Sequence, residues 1–215
     1  MNQYIREPIN GLTHLAGALL AFIGLLAMVI KASSSGASSL QIAAVIIFGV
    51  SMILLYSASA TYHMVIAKER VIGFLRRIDH SMIFVLIAGS YTPFCLISLN
   101  GVTGWTIFII ISLIAISGVL FKLVWFKCPR WLSTALYIFM GWIIIFAASP
   151  LAKALSVTGL FLLIFGGILY TIGGIIYAVK PKFLEMKHFG FHEIFHIFIL
   201  LGSLAHFLSV YLYVL

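Results

Sequence analysis

Seven long apolar runs divide the chain: roughly Leu12 to Ile30, Leu40 to Tyr62, Ile78 to Leu99, Trp105 to Val124, Trp131 to Ser149, Val157 to Val179, and His192 to Leu215. Each is close to the ~20 residues that carry an α-helix across a bilayer, where the backbone must satisfy its own hydrogen bonds. The polar segments between them are short. The pattern therefore predicts an all-α fold, one polytopic seven-transmembrane helical bundle over residues 1–215 with no extramembrane domain. Pro93 predicts a kink in the third helix. The glycines of the sixth run (Gly159, Gly166, Gly167, Gly173 and Gly174) predict close helix packing, with a flexible gate as the alternative.

Composition narrows the class. With 63% hydrophobic and 8% charged residues, and a mean hydropathy of +1.21, the chain has too little polar surface for a soluble domain. A net charge of +8 would suit a polyanion-binding protein, but its distribution has a simpler reading. With loops alternating from a cytoplasmic N-terminus, Arg6, Lys68, Arg70, Arg76, Arg77, Lys122, Lys127, Arg130, Lys180, Lys182 and Lys187 fall on one side. Only Lys31 and Lys153 fall on the other. The positive-inside rule then predicts a cytoplasmic N-terminus, an external C-terminus and a multi-pass protein of the cell membrane. The expected partners are membrane lipids and not nucleic acid; the sequence sets no oligomeric state. The first run is long for a signal-peptide core, and its removal would leave six spans, so it is expected to be retained. Cys95 and Cys128 fall on opposite sides, which argues against a disulfide.

The few polar residues inside the runs carry the chemistry. His192 and His196 are four apart, one turn apart on one helix face, the spacing of two ligands to a single metal ion. His188 extends the same stripe, so two adjacent pairs fit. Glu193 completes H-E-x-x-H, the zinc-protease signature, a string short enough to arise by chance. A third imidazole, His63, ends the second run on the face it shares with Ser59. The structural alternatives are an interfacial histidine and small-residue packing. Asp79 opens the third run, where a carboxylate is costly unless paired or hydrated. It is a site candidate, or else an ion-pair partner of Arg76. His80 points about 100° away from Asp79 and is not expected to share its metal. His206 lies about 80° off the histidine stripe and reads as a core histidine. Glu7, Asn10 and His14 form a polar stripe after which the first helix enters the bilayer; it either caps the interface or orients ligands by hydrogen bonds.

The predicted topology brings Glu7, Asn10, His14, Ser59, His63, Asp79, His192 and His196 to one depth. Three neutral imidazoles bind zinc at about 2.0–2.1 Å and leave a fourth position open. Zinc lowers the pKa of a bound water to about 7. Asp79 is then the candidate base and Ser59 a hydrogen-bond partner of that water. A site in an apolar bundle opening toward the inner leaflet points to lipid amides or esters.

The set Glu7-Pro8-x-Asn10-x-x-x-His14, Ser59-x-x-x-His63, Asp79, and His192-x-x-x-His196 followed by His206 resembles the hemolysin III family. This is the bacterial branch of the adiponectin- and progestin-receptor-like (PAQR) seven-helix proteins, which are related to alkaline ceramidases. The resemblance covers Glu7 to His206. It implies zinc held by His63, His192 and His196, with Ser59 and Asp79 holding the water, and it leaves Glu193 an incidental neighbour. The long N-terminal domain of the receptors has no counterpart here, so a hormone-receptor role is not carried over. Four functions follow: a zinc-dependent lipid hydrolase, a non-enzymatic membrane-homeostasis or sensor protein with a structural zinc, a pore-forming cytolysin, and an intramembrane zinc protease using Glu193.

Overall fold

The computed structural model describes residues 4–125, 127–186 and 189–215. Among these it has seven helical segments long and apolar enough to cross a membrane. They are α1 (Pro8–Ser34), α2 (Ser39–Met64), α3 (Glu69–Pro93) with its π-helical extension Phe94–Leu99, and α4 (Gly101–Val124). The fifth comprises α5 (Arg130–Trp142), a 3-10 stretch Ile143–Ala147 and α6 (Ala148–Ala154). The last two are α7 (Val157–Val179) and α8 (Phe191–Ser209), the latter extended by Val210–Val214. The protein is an all-α, multi-pass membrane protein. His188, one of the histidines in the candidate stripe, lies outside the described residues.

One boundary differs from the hydrophobic pattern in a way that matters. The basic segment after Lys68, expected as a loop, is helical from Glu69 onward. Its Arg, Leu and Glu residues are good helix formers, and Glu69 in the first turn suits the positive end of the helix dipole. Asp79 therefore sits inside α3, held by helix on both sides, instead of opening it.

Packing runs α4–α3–α2–α1–α8–α7–α5, with α5 also touching α3, so the helices enclose a central space. Three glycines of α7, seven residues apart, let α8 approach. A Cβ at Gly159 would meet Tyr213, one at Gly166 would meet His206, and one at Gly173 would meet Phe198. The fifth span is broken. Its α-helical ladder gives way to the 3-10 stretch Ile143–Ala147, and the Tyr91 hydroxyl from α3 bonds the backbone groups where the ladder ends. It lies 2.7 Å from the Gly141 carbonyl and 2.9 Å from that of Met140, and accepts the Ile144 N–H at 2.8 Å. Cys95 and Cys128 are both free thiols.

Candidate metal centre

Alternating helix direction brings the starts of α1, α3, α5 and α8 and the ends of α2, α4 and α7 to one end of the bundle. That end carries Arg6, Arg76, Lys122 and Arg130, and is called basic below. The end of α2 is tied to the entry of α1 by backbone hydrogen bonds, Glu7 N–H to the His63 carbonyl at 2.9 Å and Arg6 N–H to the Met64 carbonyl at 3.4 Å. Arg6 also bonds the Tyr62 carbonyl and stacks 4.3 Å over the Tyr62 ring. These contacts fix where Glu7 and His63 stand relative to one another.

His63, His192 and His196 converge. Their ligand atoms all lie within 4.8 Å of one another, and the three rings stand 4.7–5.1 Å apart. His63 and His196 are each 1% exposed. The Nε2 atoms of His63 and His192 are 3.4 Å apart. Two nitrogens each about 2.0–2.1 Å from a tetrahedral zinc stand about 3.3 Å apart, so this separation suits a shared ion. The far nitrogen of His63, Nδ1, is 2.6 Å from Oε2 of Glu7. A carboxylate there fixes the tautomer and leaves the Nε2 lone pair for a metal. Contact with the His63 imidazole also holds the Glu7 carboxyl below its ordinary range. His196 Nδ1 is buried with no hydrogen-bond partner, a group that costs free energy unless something occupies its lone pair or proton. The donor set, the 3.4 Å spacing and the carboxylate behind His63 fit a divalent ion favouring imidazole.

The remaining candidates take distinct places. His14 is stacked on His196 with ring centroids 3.6 Å apart and planes 8° apart, and meets the Tyr56 ring edge-on at 5.1 Å. It thus sets the plane of the His196 ring and does not join the ligand cluster. Asn10 donates to Oε1 of Glu193 at 2.8 Å, while Oε2 of the same carboxylate accepts the Gly190 N–H at 2.8 Å. Glu193 therefore caps the start of α8 and ties it to α1. Asp79 and Ser59 are both buried and interact with one another, and Asp79 lies within electrostatic reach of His63 and Arg76. His80 turns away, with Nε2 3.5 Å from the Tyr177 hydroxyl. His206 donates from Nε2 to the Leu163 carbonyl at 3.1 Å, far from the cluster along α8; a carbonyl can only accept, so Nε2 carries the proton.

A cavity of about 670 Å³ fills the middle of the bundle. Ser59, Asp79, His192 and His196 line its basic end, and Ile87, Phe94, Leu151 and Leu160 line the rest. A second cavity of about 320 Å³ is lined by Glu7, His63, His192 and Glu193. His192 faces both, so the histidine cluster stands between a polar vestibule and an apolar interior.

Sequence reasoning missed three groups that shape this interior. Tyr91 plugs the fifth span. Tyr56 and Tyr170 both bond Ser203, at 2.5 and 2.7 Å, and lock α2 and α7 to α8. Lys122 is buried against Ser133. A lysine and tyrosines inside apolar runs were the signal available for each.

Two comparisons with known proteins bear on the chain. A family model described as "Haemolysin-III related" matches residues 2–207. Over 217 residues the chain is 43% identical to "Hemolysin-3" of Bacillus cereus, covering 100% of this chain and 95% of that one. It is also 43% identical over 211 residues to "Hemolysin-3 homolog" of Bacillus subtilis (strain 168), covering 97% and 95%.

Proposed function

This chain belongs to the haemolysin III family, and from that premise we propose that it is an integral membrane zinc-dependent hydrolase of lipid amide or ester bonds at the cytoplasmic leaflet. The observation that carries the reading is the sharing of one apolar cavity by Asp79, Ser59, His192 and His196, with His63 close behind. His63, His192 and His196 would hold the ion. Zinc, when bound, supplies a Lewis acid that polarises a carbonyl and makes water acidic near neutral pH.

The chain's own residues would do the rest. The apolar wall receives the acyl chain, which leaves the carbonyl at the basic end of the cavity, beside His192 and His196. Asp79 takes the proton from the attacking water as the C–O bond forms and returns it to the departing nitrogen or oxygen. Ser59, hydrogen-bonding at the Asp79 carboxylate, orients it. Glu7, Asn10 and His14 keep the ligand rings in place through His63, the α8 cap and the stacked His196. Glu193 is already engaged by Asn10 and Gly190, which argues against its serving as the base of a protease.

The test is fatty-acid release from N-acyl and O-acyl lipids by protein in nanodiscs. Wild type is expected to release acid and Asp79→Asn to retain metal without release. Equal release by both would remove Asp79 from the reaction. No release by wild type from any lipid of either class, with metal bound, would favour zinc as a staple between α2 and α8. The name of the Bacillus relatives supports a second reading, a pore-forming cytolysin. Dose-dependent dye leakage from liposomes that survives loss of the histidines would favour it.

A further inference from the structure

At the basic end of the large cavity stands a second group of polar side chains besides the histidines. Arg130, Ser133 and Thr134 lie at i, i+3 and i+4 on α5, which puts them on one face, and all three line the cavity. Lys122, from the last turn of α4, lines it too and is 3% exposed. Its Nζ donates to the Ser133 hydroxyl, which is also 3.3 Å from the Cys128 thiol.

This group is rich in donors and poor in acceptors. An ammonium carries three protons, and Ser133 takes one. The chain has five acidic side chains, Glu7, Glu69, Asp79, Glu185 and Glu193, and among the described residues none forms an ion pair with Lys122. Arg130 lies over the Tyr177 ring, 5.4 Å from its centroid, yet its Nη1 is buried with no hydrogen-bond partner; the buried Thr134 hydroxyl lacks one as well. A buried cation without a counter-ion is costly, and so is each buried donor without an acceptor. A guanidinium, an ammonium and hydroxyls converging on one space match an oxyanion.

We propose that Lys122, Arg130, Ser133 and Thr134 form an oxyanion site at the basic end of the cavity, which binds the phosphate or carboxylate of an amphiphile whose chain occupies the apolar interior. The neighbouring walls favour a lipid as the source, because a chain attached to the anion would lie along Ile83, Ile138 and Ile144 of the same cavity. Selection of an acidic lipid as substrate rests on the hydrolase reading; binding does not.

The experiment measures binding of oleoyl lysophosphatidic acid, and of monoolein as its neutral counterpart, to the full chain in phosphatidylcholine nanodiscs. Wild type is expected to prefer the phosphate by about tenfold or more, the scale of a charge-assisted hydrogen-bond pair. Lys122→Met and Arg130→Gln are expected to remove that preference while monoolein binding is unchanged. Lys153→Met, which removes an exposed cation at the other end, is expected to keep it, and Lys122→Arg guards against misfolding by keeping the charge and the preference. Displacement of the lysolipid by equimolar inorganic phosphate would assign the site to a free oxyanion; persistence would assign it to the lipid. Equal binding of both lipids by wild type, or a preference surviving both substitutions, would overturn the proposal. Hydrolysis without a phosphate preference would end this proposal alone, and preference without hydrolysis would end the hydrolase reading alone.

Discussion

Nδ1 of His63 stands 2.6 Å from Oε2 of Glu7, and this one contact decides which nitrogen of His63 turns toward His192 and His196. Glu7→Gln replaces a carboxylate that holds the imidazole N–H with an amide that holds it less strongly. Loss of such a partner lowers metal affinity by about 10–100-fold. Competition with a zinc chelator should show that drop with the helical content unchanged. The Glu7 carboxyl is held below its ordinary value of 4.5 by His63, so the stabilisation it gives is present above pH 4.5. It should be lost as the pH falls through the lowered value, and not on the alkaline side.

The ring of His14 covers that of His196 at 3.6 Å without joining the ligand cluster. His14→Phe keeps a flat ring there and should retain bound zinc, whereas His14→Ala, which opens a cavity beside His196, should weaken it. Equal zinc loss in both variants would mean that His14 supplies a nitrogen to the ion.

Glu193 separates two chemistries. Its carboxylate caps α8 and holds Asn10, so Glu193→Gln, which keeps an acceptor, should leave lipid hydrolysis within about twofold of wild type. Glu193→Ala should lower the unfolding midpoint through a lost cap worth about 0.5–2 kcal/mol. Activity abolished by Glu193→Gln with zinc retained would restore the protease-type base.

Tyr91 closes the break in the fifth span. Tyr91→Phe leaves the Ile144 N–H and the Gly141 carbonyl without this hydroxyl, at a cost of about 1–3 kcal/mol. Thermal unfolding in detergent should report a lower midpoint, and an unchanged one would show that the broken span is satisfied otherwise.

The seven spans were legible because each apolar run approaches the length a bilayer demands, and the observed helices extend those runs by a few polar residues. The largest extension, at Glu69, was hidden because hydropathy records where lipid begins and not where helix begins. The His192 and His196 pair was legible from a spacing of four. The convergence of His63 on that pair required the extra step of loop alternation, since the two elements are far apart in sequence. What no periodicity could give is the orientation of single rings and hydroxyls. The stacking of His14 on His196, the double use of the Glu193 carboxylate and the burial of Lys122 against Ser133 depend on how neighbouring helices rotate about their own axes.

The proposed metal centre stands on three histidines holding one ion. Its most direct measurement is zinc content per chain by mass spectrometry for gently purified wild type and for His63→Ala, His192→Ala and His196→Ala. About one zinc per wild-type chain is expected, lost in each single variant, as three-ligand coordination requires. Folded wild type without metal, or variants that keep it, would rule out coordination by these three histidines.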